Sequence, residues 1–152
     1  MDHPQDFKSA DFKIAYDGTW YHEGQPILRE AMAKLFATRA LVCDPDGRYW
    51  LQTPFEKYPV EVEDVPFVVV DTLEHPGQID CVTNMGEHIP LGPDRPLVLR
   101  TCRKTDQMLP YVEVRNRLFA RLGRPVYYNL VNRYGAAIIS RGAHFPLGAT
   151  DE

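Results

Sequence analysis

At 152 residues and 44% hydrophobic, the chain can bury a sizeable core, as one domain or as two small subdomains. No apolar run is long enough to cross a bilayer, and the opening MDHPQDFKSADFK is acidic and polar, without the apolar stretch of an export signal. A cytoplasmic location is therefore expected, and a membrane partner is not.

The net charge of −4 hides a split. Residues 1–99 carry 8 Lys/Arg against 17 Asp/Glu, and residues 100–152 carry 9 against 4. The basic residues are dispersed through strand and helix patterns and form no block, so nucleic acid is not expected as a partner. Mutual attraction of the halves, or an anionic small-molecule site in the second, accounts for the split. Three cysteines, Cys43, Cys81 and Cys102, are odd in number and lack CxxC spacing, which excludes a disulfide framework or zinc knuckle and predicts buried free thiols.

In chain order, the first predicted elements are FKIAY-DG-TWYHE. Phe12, Ile14 and Tyr16 alternate, and Asp17-Gly18 supplies a hairpin turn. GQPI (24–27) follows and opens a predicted helix whose Leu28, Met32, Leu35 and Phe36 recur at helical spacing as a buried stripe. ALVC-DPDG-RYWLQT reads as a second hairpin. Val60–Val62 and Phe67–Val70 suggest strands, with Pro66 at the head of the latter, and His75-Pro76-Gly77 is the strongest turn signal of the middle region. YVEVR, a turn near Asn116, and LFARL then lead to GRPV (123–126), a helix striped by Tyr127, Leu130, Val131 and Tyr134, and the hairpin AAII-SRG-AHFPL.

The order hairpin, helix, hairpin thus occurs twice. Aligning Gly24 with Gly123 and Pro26 with Pro125 lays segment 12–53 over 111–148. The predicted fold is α+β, an internal duplication of two similar small subdomains, each an antiparallel sheet with one packed helix. The boundaries read 1–11 for an N-terminal tail, 12–75 and 76–148 for the subdomains, and 149–152 for a C-terminal tail.

DGTWYHEGQPILREAMAKLFATRAL, the TPFEKYPVEVEDVPF stretch and the Thr83-Asn84 pair resemble a bacterial family of uncharacterised proteins, domain-of-unknown-function family 1285, over Phe12 to Gly148. The resemblance implies an α/β protein of two similar subdomains with a ligand-binding or regulatory role. It supplies no catalytic residue. Phe55 and Tyr58 depart from the smaller or aliphatic residues the family pattern implies.

Thr53-Pro54-Phe55-Glu56-Lys57 leaves a strand, where ligand groups gather; the plain alternative is a solvated turn held by its threonine. Glu61 and Glu63 should share one strand face, with Asp64 turned away, either as a charged surface or as a hard-cation site. The five histidines show no HxxxH or HExxH spacing, and no nucleophile elbow, Walker loop or GxGxxG is present. No cofactor, metal or catalytic residue is therefore assigned. Ser140 sits beside a hairpin turn and needs no catalytic explanation. Arg115, Arg117, Arg121 and Arg124 suit two- or three-point capture of an anionic metabolite better than a nucleic-acid surface.

The leading expectation is a non-enzymatic small-ligand-binding or regulatory signalling module with its site between the subdomains. The ligand is a small, anionic molecule, with a protein partner as the other choice. Lys57 and Arg115 would hold the anionic group, Thr53 and Asn84 would orient it, Trp20 would stack on it, and Glu56 and Asp64 complete the candidate set. A hydrolase or transferase using Glu56, Glu63 or Asp64 as general base, with or without a divalent ion, is the first alternative. A protein-interaction module using exposed strand edges is the second.

Overall fold

The structure, a computed structural model, describes residues 11–148. The proposed tails, with His3 and Ser9, lie outside these residues apart from Asp11. The chain divides into two compact units, 1–66 and 67–152.

In the first unit β1 (Phe12–Ile14), β2 (Trp20–His22) and β3 (Gln25–Pro26) form one meander, and β4 (Leu41–Cys43), β5 (Tyr49–Gln52) and β6 (Lys57–Val62) form another. They merge into one sheet in the order β3-β2-β1-β6-β5-β4. All neighbours are antiparallel except the central pair, where β1 runs parallel to β6 with Ile14 opposite Val62. The alternation read from the sequence is what sorts the faces: Phe12, Ile14, Val60 and Val62 are buried, while Lys13 and Glu61 point outward. Both predicted tight turns form. Gly18 and Gly47 take φ of 89° and 85°, and Asp44 Oδ1 accepts the Asp46 and Arg48 amides at 2.9 Å each.

Between the meanders lies α1 (Glu30–Leu35), which runs on through a π turn (Phe36–Ala40). The turn is loosened where Thr38 Oγ1 donates back to the Lys34 carbonyl at 2.7 Å. Phe36 reaches the core, packing on Phe12 at 5.7 Å and Trp20 at 5.8 Å between ring centroids. The expected buried stripe is otherwise corrected. Only Ala37 of this segment is buried, whereas Leu28, Met32 and Leu35 are 86%, 38% and 54% exposed. Leu28 lies ahead of the helix, and for Met32 and Leu35 helical spacing identified a face without saying which way it points.

The second unit repeats the sheet. Its strands are β7 (Phe67–His75), β8 (Gln78–Thr83), β9 (His88–Pro90), β10 (Leu97–Thr101), β11 (Met108–Arg115) and β12 (Leu118–Leu122). Their order is β10-β11-β12-β7-β8-β9, again two meanders joined by a parallel pair, here β12 with β7. α2 (Arg124–Tyr134) and a separate hairpin of β13 (Ala137–Ser140) and β14 (Ala143–Pro146) follow. The sheet, helix and hairpin contribute Phe67, Val69, Cys81, Val112, Leu118, Leu130, Ile138 and Leu147 to the core.

The two-fold repeat is therefore present, each sheet antiparallel but for its central pair, each unit with one helix. Its register differs from the sequence alignment. The like segments are β1–β6 and β7–β12, and β8, β9 and β10, read from the sequence as connecting chain, build half of the second sheet. The two junctions consequently do different work. GRPV does open a helix: Gly123 is its N-cap, Pro125 lies in its first turn, and a Cβ at Gly123 would meet the Val69 carbonyl oxygen at 2.8 Å. GQPI instead supplies an edge strand, with Pro26 opposite Tyr21, because an edge tolerates a missing donor. The His75-Pro76-Gly77 turn is the tip of the β7–β8 hairpin inside the second unit, so the division falls between Pro66 and Phe67 and not at 75/76.

Candidate functional site

The seven candidate residues fall into three settings. Thr53, Glu56 and Lys57 share the turn between β5 and β6. Thr53 Oγ1 accepts the Phe55 and Glu56 amides at 3.2 and 3.0 Å, and its own amide donates to the Glu56 carbonyl at 2.8 Å. The hydroxyl is thus committed to the turn. Lys57 Nζ lies 4.4 Å from the centroid of the Trp50 ring, whose Nε1 donates to Asp44 Oδ2 at 3.0 Å. Residues 52–57 line only an open depression of about 320 Å³, with Phe55 92% exposed at its rim.

Trp20 and Asp64 are interior, 1% and 2% exposed. Trp20 packs on Phe36 and is closed to a ligand that would stack on it, although its indole N–H is buried without a hydrogen-bond acceptor. Size and amphipathicity made this side chain a candidate, and core packing claims it.

Asn84 and Arg115, by contrast, come to one end of the second sheet. Thr83 organises the β8–β9 turn, its Oγ1 accepting the Met85 and Glu87 amides at 3.2 Å each, with Gly86 at φ 83°. Asn84 then clasps the start of β7. Its Oδ1 accepts the Val68 amide at 3.2 Å, and its backbone N–H donates to the Val68 carbonyl at 2.8 Å. Across the sheet, β11 shifts register between Glu113 and Arg115, and a bulge of this kind re-aims the side chain that follows it. Arg115 Nη1 donates to Glu87 Oε2 at 2.6 Å, and its guanidinium lies 5.5 Å from the Phe67 ring centroid. Both partners of this pair are less than one-third exposed. Glu87 Oε1, however, is buried with no donor. Glu87 is the residue that sequence reasoning passed over; the Thr83–Gly86 turn signature was the available sign that its carboxylate is placed.

The carboxylates proposed as general bases do not gather. Glu56 and Glu63 stand beyond opposite ends of β6, a strand of six residues and so roughly 20 Å long. Glu63 is engaged, its Oε1 accepting the Tyr16 amide at 2.7 Å and its Oε2 lying 3.1 Å from Lys13 Nζ. The hydrogen bond from Lys13 to Glu63 holds the lysine pKa above its ordinary value. With Asp11, Tyr21 and Gly24 this pair lines a half-open depression of about 330 Å³. Among the described residues, no three of His, Cys, Asp and Glu come together as a metal ion would require. Cys81 and Cys102 are buried and Cys43 half-buried; burial, with Asp80 adding, pushes the Cys81 thiol up to about 12, far from a reactive thiolate. Among the described residues, no helix is long and apolar enough to cross a membrane.

Comparison with known proteins covers nearly the whole chain. Residues 2–65 match the N-terminal domain, and residues 66–147 the C-terminal domain, of the domain of unknown function DUF1285. A DUF1285 family protein of Silicibacter pomeroyi DSS-3 is 33% identical, with a TM-score of 0.78 over 92% of this chain and 80% of that one. Another, from Shewanella baltica OS155, is 32% identical, with a TM-score of 0.63 over 81% of this chain and 91% of that one. No curated protein matches the sequence. Two domain models that meet where the two sheets divide, and two solved relatives sharing the fold, place this chain in the DUF1285 family.

Proposed function

We propose that the protein is a small-ligand-binding module of regulatory type, and that Asn84, Glu87 and Arg115 at one end of the second sheet form the recognition site. The observation that carries the reading is Glu87 Oε1. A carboxylate oxygen shut away from water without a donor costs on the order of 1–3 kcal/mol. A ligand hydroxyl, amide or ammonium reaching that oxygen would remove the cost, and Arg115 beside it suits an anionic group on the same molecule. Asn84 ties the rim to β7, so contact there is passed to a central strand. A carboxylate-based hydrolase draws no support from Glu56, Glu63 and Asp64, which are respectively in a solvated turn, engaged with Tyr16 and Lys13, and buried.

Thermal-shift screening against a metabolite library tests this. A ligand present at a hundred times its dissociation constant adds about 2.7 kcal/mol of stability. The hit should be lost in Glu87→Gln and in Arg115→Ala, and retained in Lys57→Ala. A hit that survives both second-unit substitutions places binding elsewhere, and a silent screen favours the protein-partner reading.

A further inference from the structure

The least expected surface of the first unit is its helix. Leu28, just ahead of α1, and Met32 and Leu35 on it are exposed apolar side chains of 28–40, a segment whose basic residues Arg29, Lys34 and Arg39 are all exposed and whose one acid is Glu30. The rest of the described first unit has the opposite charge, with three basic residues (Lys13, Arg48, Lys57) against nine acidic ones. We propose that this segment, 28–40, is an interfacial anchor, which lays the unit reversibly on an anionic phospholipid surface.

Two observations select that occupant over another protein. The first is area. Three such side chains remove roughly 200–350 Å² of apolar surface from water, well short of the about 800 Å² that each partner gives a stable protein interface. A lipid boundary needs no such area, since acyl chains close around whatever enters them. The second is charge. A positive segment on a negative unit is drawn to an anionic surface while the remainder is repelled, so the field orients the unit with that segment facing the lipid. That no helix among the described residues is long and apolar enough to span is no obstacle, because lying on a membrane and crossing it are different demands.

Co-sedimentation of the whole protein with vesicles decides the matter. At 50 mM salt it should partition at least tenfold better to 1:1 phosphatidylglycerol/phosphatidylcholine than to phosphatidylcholine alone, and 0.5 M salt should remove most of that preference. Leu28→Ser with Leu35→Ser, and separately Lys34→Glu with Arg39→Glu, should each lower partitioning at least fivefold. All four side chains are exposed, so the melting curves should stay put and a folding defect cannot be mistaken for the effect. Equal partition to both vesicle types overturns the proposal. So does binding that survives the Leu28/Leu35 pair, or a dimer seen by light scattering that the same pair dissolves, which would assign the segment to a second copy.

Discussion

The Ser140 hydroxyl accepts the Ile79 amide at 2.8 Å, from a position sixty-one residues away in the chain. It donates in turn to the Leu91 carbonyl at 2.8 Å, and the side chain is fully buried. One oxygen therefore fastens the β13–β14 hairpin to β8 and to the chain leaving β9. Ser140→Ala leaves a buried donor and acceptor without partners and should destabilise by about 1–3 kcal/mol. Urea denaturation measures it; an unchanged midpoint would show that water or a backbone shift replaces the hydroxyl.

Gly123 gives a second steric test. Its amide donates to the Val69 carbonyl at 2.9 Å, and the same oxygen would lie only 2.8 Å from a Cβ, too close for the two to coexist unmoved. Because φ is −65°, a left-handed backbone is not the issue. Gly123→Ala should cost about 1–3 kcal/mol through the clash alone, by forcing the mouth of α2 away from β7. The expected readout is a lower urea midpoint with an unchanged slope.

The Arg115–Glu87 pair should behave asymmetrically. Arg115→Ala leaves a carboxylate that is less than one-third exposed without its cation, and a loss of about 1–3 kcal/mol follows. Glu87→Gln should cost less, since the amide keeps an acceptor for Arg115 while removing the partly buried negative charge. A double-mutant cycle monitored by thermal melting checks the order. Equal losses for the two would show that this charge carries no penalty.

Acid dependence should be visible at Asp44. The Trp50 indole N–H, helped by the Arg48 and Asp46 amides, holds this carboxyl below its ordinary pKa. Its folded value is thus depressed, so its stabilising contribution is complete above the unfolded-state pKa and disappears as pH falls through the folded one. In Trp50→Phe the Asp44 titration followed by carboxyl-carbon NMR should move up towards the ordinary value. An unmoved midpoint would assign the whole effect to the backbone amides.

What the sequence disclosed was local. Asp17-Gly18, Asp44–Gly47, Asn116 and Arg141-Gly142 each announce a turn through residues that tolerate positive φ, and the strands on either side follow. Duplication was legible too, but its register was not. The resemblance of GQPI to GRPV is a likeness of four residues, whereas the true repeat is set by which strands hydrogen-bond at the centre of each sheet. The parallel pairing of β1 with β6 joins residues nearly fifty positions apart and leaves no mark on either strand. At the candidate site, Asn84 and Arg115 were found as polar residues at strand ends, which two antiparallel meanders bring to one edge. Trp20 failed because an indole reads the same whether it lines a pocket or fills a core. Met32 and Leu35 failed for a related reason: periodicity fixes a helix face, and only the surroundings decide whether that face is inward; Leu28 lies ahead of the helix.

In each unit the earliest strand to leave the ribosome occupies the middle of the finished sheet, beside the latest. The first unit therefore has no completed centre until Val62 has been synthesised, and the second none until Leu122. During that interval Ile14, and later Val69, wait with one flank unpaired. A pause in synthesis once Val62 has emerged from the ribosome would let the earlier sheet close before the later one begins to compete for its edges, and a pause with β6 still inside would hold it open.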